Sequence, residues 1–337
     1  MFASWSVSAA VIVLALSLGF VVETYHAGPP AKDGAATVVV IQRGQGVGGI
    51  ASQLEEAGVL RNVAAFRVAA LIYAHGRPLQ AGEYSIPSEA SPRAILDRLM
   101  AGKVLLHPIT IPEGWTSAMV AERLESSDVL NGEAPPPPPE GSLLPETYNV
   151  ERGALRAAVL TKMIQAHDKA LAALWPARAD NLPLRSPQDA VILASIVEKE
   201  TGVPSERPRV AAVFINRLRK GMRLETDPTI IYGVCRVQPK TCADGKLVDE
   251  KTGAARGIRE SELKMSTGYN TYQIYGLPPT PIANPGLASL QAVLNPARTD
   301  DLYFVADGTG GHVFAPTLAE HQKNVAKWRE IEKARGG

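Results

Sequence analysis

Cysteine is almost missing from this chain. Cys235 and Cys242 are the only two among 337 residues. They lack C-x-x-C spacing, and no cluster of His or further Cys completes a zinc site, so the sequence calls for no metal and no cofactor. In a reducing compartment they read as unpaired thiols; in an oxidising one they are close enough to staple a short loop. Net charge is missing too. The 35 basic residues offset 34 acidic ones to leave +1. That balance excludes the basic footprint of a nucleic-acid binder and suits a neutral, sugar-like or polymeric substrate better than a polyanion. A phosphate loop is also absent. Gly44, Gly46, Gly48 and Gly49 have neither the G-K-[ST] ending nor dinucleotide spacing, so they read as a turn into a helix.

One long apolar run stands out against this evenness. Residues 5–22, WSVSAAVIVLALSLGFVV, carry no charge, and Glu23 is the next charged residue. The length suits one helical crossing of a bilayer. It exceeds the roughly 7–15 residues of a cleaved leader's apolar core, so a retained transmembrane anchor is expected at 5–23. No basic residue precedes the run, and Lys32 and Arg43 follow it. These counts are too small to orient the helix by the positive-inside rule. The short leader and the chemistry below place the bulk of the chain outside the cytoplasm.

With 45% apolar residues the chain has material for sizeable cores. Its length predicts two folded domains plus extras. Residues 24–36, with Gly28, Pro29, Pro30 and Gly34, read as a linker. Residues 37–107 read strand, helix, helix, strand, helix, a small α+β domain whose order suggests a LysM-like module. Residues 108–184 form a connecting region. It holds a strand, a short helix, the proline run 135–139 as a stiff spacer, and a long amphipathic helix over 154–174. Residues 185–330 carry the densest structural signals, and the fold class overall is α+β.

Within that last region, Ser186-Pro187-Gln188-Asp189 is a helix start: a capping serine, a first-turn proline and an acid near the positive end of the dipole. Gly202 and Pro204 stop the helix. At about 100° per residue, Ile192, Leu193, Ile196 and Val197 share one apolar sector with Glu200 in its middle, and Val191 is the one large apolar residue outside it. Ser195, Lys199 and Glu198 lie away from it, so Glu198 is expected to be solvated or salt-bridged. A carboxyl pressed against apolar neighbours has a raised pKa, the condition of a general acid. The bland alternative is a structural carboxylate paired with Arg209 or Arg217.

Residues 209–222 predict a second helix. Asp227 caps a short helix that begins at Pro228 and closes at Tyr232-Gly233. In STGYNTYQIY, residues 266–275, Tyr269, Asn270 and Tyr272 mix aromatic faces with polar groups, as a glycan groove does; a β-strand with ordinary packing is the plainer reading. The rigid segment 276–286 is a cleft-walling loop. Residues 302–306 and 312–314 form a strand pair, and His312 and His321 read as structural.

These strings together resemble the endolytic murein transglycosylases of the MltG (YceG-like) family. The resemblance rests on ASIVEKET at 194–201, VFINRL at 213–218, GMRLETDPTIIYG at 221–233, YNTYQIYGLPPTPIANPG at 269–286 and LYFVADGTGGHVF at 302–314. It implies an inner-membrane anchor, a LysM-like region and a periplasmic catalytic domain that cleaves nascent peptidoglycan strands without water. The family's catalytic acid is the second Glu of E-K-E-T, here Glu200. It would protonate the glycosidic oxygen leaving muramic acid, then take the proton of that sugar's 6-hydroxyl as a 1,6-anhydro ring closes. Asp227, Tyr269, Asn270 and Tyr272 would position the strand or orient Glu200. The expected partners are peptidoglycan strands, the membrane and peptidoglycan synthases. The rivals are a hydrolytic muramidase, with Glu225 or Asp227 as its second carboxylate, and a glycan-binding scaffold without activity. This chain departs from the pattern in two places. The stretch between Gly233 and Leu263 is longer and holds both cysteines, where a Cys235–Cys242 bond would stiffen it. At Leu144-Pro145 the family carries an aromatic before the proline.

Overall fold

The computed structural model describes residues 2–335, with side chains described for residues 8, 9 and 11–335. The fold is mixed α+β, and the chain divides into two compact units. The first is Met1–Pro108 with Asn149–Ala154, the second Ile109–Tyr148 with Leu155–Gly337.

The first unit begins with α1 (Phe2–Tyr25). The anchor expected at 5–23 starts among residues whose side chains lie outside those described. Among the described residues, no helix is long and apolar enough to cross a membrane. Behind α1 come β1 (Ala36–Ile41), α2 (Val47–Glu56), α3 (Val63–Ala74), β2 (Gly82–Pro87) and α4 (Pro92–Met100), the element order expected from the sequence. β1 and β2 pair antiparallel, with Val39 opposite Tyr84. Strand alternation sends Val39, Ile41, Tyr84 and Ile86 to the core, while Val38 and Val40 stay exposed. Phe66, Leu54, Ile95, Leu96 and Leu99 from the three helices close over that face. Arg152 Nε donates to the buried Glu83 at 3.0 Å, which ties the short return segment into this unit.

β3 (Leu106–Thr110) and β4 (Thr147–Glu151), where the chain passes between the units, pair with each other. The second unit holds α5 (Ser117–Glu125), α6 (Arg156–Leu174), α7 (Pro187–Glu200), α8 (Arg207–Arg219) and α9 (Asp227–Val237). A two-stranded hairpin, β5 (Cys242–Ala243) and β6 (Lys246–Leu247), precedes the short α10 (Glu260–Leu263). The chain ends with α11 (Leu287–Leu294), the pair β7 (Tyr303–Ala306) and β8 (His312–Ala315), and α12 (Leu318–Ala334).

At the centre lies α7. Ser186 caps it as expected, its Oγ accepting from Asp189 N at 3.1 Å. Every residue from Ala190 to Val197 is buried, so the helix has no solvent face over that stretch. This corrects the amphipathic reading. Val191 packs in the core, and Ser195, expected to lie away from it, is fully buried. Its Oγ donates to Ile192 O at 2.7 Å and accepts from Ile282 N at 3.0 Å. α8 and α11 pack on α7 through Val210, Phe214, Leu290 and Val293.

Gly233 does not close α9, which runs four residues further, to Val237. The glycine serves a close approach instead: a Cβ there would collide with Thr267 Oγ1 and meet Tyr269 Cβ at 3.2 Å. Alanine in a helix interior normally gains about 1 kcal/mol over glycine. Gly233→Ala is expected to do the opposite and lower the melting temperature, because the 267–269 loop must move. An unchanged or raised melting temperature would show that the loop yields freely.

Candidate active site

Glu200 is the last residue of α7, partly shielded where the helix emerges from the core. The next residue, Thr201, is extended and buried, so the backbone turns away and leaves the carboxyl at the helix end. Neither arginine suggested as its structural partner pairs with it. Arg209 Nε binds Asp301 at 2.7 Å. Arg217 Nε donates to Leu302 O at 2.7 Å, and its Nη1 donates to Leu224 O at 2.9 Å and reaches Glu225 at 3.3 Å.

The direct partner of Glu200 is Thr226, whose hydroxyl donates to Oε1. Thr226 is the N-cap of α9 in place of the expected Asp227, which is the first helical residue. Its side chain makes no capping bond to its own helix, since the hydroxyl is turned to Glu200. A buried trio of threonines holds it there. Thr226 N donates to Thr271 Oγ1 at 3.0 Å, Thr229 Oγ1 donates to Thr226 O at 2.7 Å, and the Thr229 and Thr271 hydroxyls lie 2.9 Å apart. The LETDPT string contains both Thr226 and Thr229, but nothing local reveals that the cap turns away from its helix.

Burial is the chief cause that raises the Glu200 pKa to about 7. The Thr226 bond opposes it, the Asp227 carboxylate adds to it, and the more distant His312 and Arg217 charges oppose it again. Near neutral pH the carboxyl is therefore poised between donor and acceptor, the requirement for one group to act in both directions. Asp227 is exposed and accepts a hydrogen bond from the Tyr272 hydroxyl at 2.8 Å. Burial, then Asp227, with Glu200 adding its charge, keeps the Tyr272 phenol protonated well above its ordinary range.

Four groups thus converge: Glu200, Thr226, Asp227 and Tyr272. Two expected neighbours do other work. Tyr269 is buried, stacks edge-on against Tyr232 with centroids 5.0 Å apart, and shares a 2.7 Å bond with Thr280 Oγ1. Asn270 is 1% exposed. Its Nδ2 donates to Leu263 O at 2.8 Å and Met265 O at 3.0 Å, and its Oδ1 accepts from Tyr272 N at 3.1 Å. It shapes the loop that presents Tyr272, and both its side-chain polar atoms are engaged within that loop. The loop itself is irregular, not the plainer β-strand.

Of the two fates expected for Glu198, the salt-bridged one holds, but in a buried setting instead of a solvated one. Its side chain is 4% exposed and takes Arg207 Nη2 at 3.1 Å and Gly286 N at 2.9 Å. The same guanidinium reaches Glu113 at 2.9 Å. Cys235 and Cys242 are joined by a disulfide, which ties α9 to β5. Among the described residues no group of three or more His, Cys, Asp or Glu side chains is placed to hold a metal ion.

The YceG-like family matches residues 39–327. The chain belongs to that family. Among relatives, the endolytic murein transglycosylase of Bacillus subtilis is 29% identical, over 89% of this chain and 87% of its own length. That of Streptococcus pneumoniae is 28% identical over 86% of this chain, which spans 58% of the relative's length. A crystal structure of a yceG-like protein from Listeria monocytogenes is 28% identical, with a TM-score of 0.49, covering 86% of this chain and 98% of that one. The matched range contains Glu200, Thr226, Asp227 and Tyr272.

Thr226→Val tests the hydroxyl's hold on Glu200. A hydrogen bond to a charged group is worth about 1.5–3 kcal/mol, so kcat/KM on peptidoglycan should fall about tenfold or more. Loss of a bond to the ionised form pushes the pKa of Glu200 further up, so the falling limb of the pH–rate profile should move to higher pH. Thr226→Ser should restore both. A profile that stays in place would show that Thr226 only shapes the loop.

Proposed function

We propose that this chain is an endolytic murein transglycosylase that cuts peptidoglycan glycan strands between muramic acid and glucosamine, with Glu200 as its acid and base. The observation that carries the mechanism is a single carboxyl, free of any arginine, with its pKa raised to about 7 and one oxygen fixed by Thr226. Glu200 gives its proton to the glycosidic oxygen as the bond to muramic acid C1 breaks. The resulting carboxylate takes the proton of the 6-hydroxyl, whose oxygen closes on C1. The products are a free glucosamine 4-hydroxyl and a 1,6-anhydro end, and neither water nor an enzyme nucleophile is consumed. Of the carboxylates a hydrolase would need, Glu225 is paired with Arg217 and Asp227 is held by Tyr272. Asp227 and Tyr272 position the strand at the bond being cut.

Residues 5–23 anchor the chain in the inner membrane, with the rest of the first unit and the second unit in the periplasm, where an oxidising environment preserves the disulfide. The exposed apolar side chains of α1, among them Leu14 at 70% and Leu16 at 69%, support that placement. The small unit is a LysM-like module, supported by its strand, helix, helix, strand, helix order. Peptidoglycan synthases that extend the same strands are its expected partners.

Digestion of purified peptidoglycan and weighing of the products tests the reading. Anhydro ends are expected, one water lighter than hydrolytic ends, with the rate falling as pH rises above about 7 and Glu200 loses its proton. Reducing ends of full mass would make the chain a muramidase.

A further inference from the structure

A groove of about 500 Å³ lies beside the candidate active site, and the chemistry above leaves it unused. One wall is a single face of α9: Pro228, Ile231, Tyr232, Cys235 and Arg236, spaced by three or four residues. It starts next to the reacting carboxyl, because Lys199 precedes Glu200 and Pro228 follows Asp227. At 1.5 Å per residue it extends about 12 Å along the helix to Arg236. Gly114, Thr116 and Glu140 also line it, as do Cys242, Ala243, Asp244, Gly245 and Lys246 of the disulfide-tied β5–β6 hairpin.

The wall is apolar but its charged groups are mostly cationic. Lys199, Lys246 and Arg236 face two carboxylates, Glu140 and Asp244. Glu140 is already engaged: Ser117 N donates to it at 2.8 Å, Asn284 Nδ2 at 3.3 Å and the Tyr232 hydroxyl at 3.3 Å. Burial raises its pKa towards the neutral form. Lys199 Nζ donates to Gly114 O at 3.4 Å, and its pKa is lowered by burial and then by the nearby Lys246 ammonium, against a smaller opposing effect of Glu198. Two ammonium groups repelling each other across an apolar groove are a ready receptor for a carboxylate.

We propose that this groove binds the acidic peptide branch carried by the muramic acid, with Lys199 and Lys246 holding a peptide carboxylate and the α9 face covering small aliphatic side chains. The proposal rests on the glycan-cleaving reading for the identity of the ligand. An extended chain rises about 3.3 Å per residue, so 12 Å of groove accommodates three or four residues. The branch leaves the sugar whose C1 reacts, and the groove begins where that sugar must sit. Peptide binding would fix the register of the strand across Glu200.

Two measurements test it separately from the catalytic reading. In the first, the Glu200→Gln protein is titrated into fluorescently tagged alanyl-glutamyl-alanyl-alanine and into the same peptide with both carboxyls amidated. Binding of the acidic peptide at least tenfold tighter is expected, and that preference should disappear in Glu200→Gln carrying Lys199→Gln and Lys246→Gln as well. Equal binding of the two peptides, no binding, or a preference that survives the lysine substitutions would overturn the proposal. In the second, wild type digests peptidoglycan strands with their peptides and the same strands stripped by an amidase. A kcat/KM ratio of about ten in favour of peptide-bearing strands is expected, collapsing towards one in the double lysine variant. A wild-type ratio of one would overturn the subsite, whereas failure to cut either substrate would sink the catalytic reading and leave the peptide titration to decide the groove.

Discussion

Glu200→Gln should lower kcat/KM on peptidoglycan by about a thousandfold or more while leaving the fold intact. General acid–base catalysis contributes about 10²–10⁴. Here one group serves both proton transfers, so its loss falls in the upper part of that range. Glutamine keeps the size of the side chain and an oxygen to accept the Thr226 hydroxyl. Stability should respond in a direction of its own. A carboxyl whose pKa is raised from 4.5 to about 7 favours the fold in its protonated form. That contribution is fully present below about pH 4.5, the unfolded value, and is gone once pH has risen through about 7. The glutamine variant does not titrate. It should therefore gain melting temperature relative to wild type between pH 4.5 and pH 8, read by thermal unfolding at the two ends. Retained cleavage by the variant would refute Glu200 as the acid, and a melting difference independent of pH would refute its raised pKa.

Arg207→Ala should be the most damaging substitution for stability. Arg207 is 12% exposed and lies between Glu198, 4% exposed, and Glu113. Removing one partner of a buried ion pair costs about 3–5 kcal/mol, because the other is left charged and unpaired. At about 2–4 °C per kcal/mol for a unit of this size, the melting temperature should fall by roughly 10 °C. Adding Glu198→Gln should recover a good part of the loss, since the stranded charge goes with it. Equal melting curves for wild type and Arg207→Ala would mean that water, not the guanidinium, satisfies Glu198.

The contrast between these two glutamates marks how far the sequence alone could be read. The helix that carries both was legible because its signals are local: Ser186 caps, Pro187 starts, and Gly202 and Pro204 follow its end. The position of Glu200 at the core edge came from the same 100° arithmetic. The burial of Glu198 and the identity of its partners did not, since Arg207 and Gly286 approach it from elsewhere in the chain. Thr226 was hidden for a related reason. Local capping rules hand the role to Asp227, and only the folded threonine trio turns the Thr226 hydroxyl away from its helix. Gly233 read as a stop because glycine often is one, yet its cause is the Thr267 side chain lying across the helix. Tyr272 and Asn270 were indistinguishable in a mixed polar-aromatic string, and the fold separates them by exposing one phenol to Asp227 and burying the other side chain's amide.

The second unit draws on sequence well ahead of its reactive helix, and that limits where the chain can be severed. A fragment cut at residue 185 would keep Glu200 but lose Glu113 from Arg207, Trp115 O from the Asn284 side chain and Glu140 from Tyr232. Each is a polar debt exposed at a fresh surface. A working excised enzyme must therefore begin no later than about residue 109, where the unit itself begins.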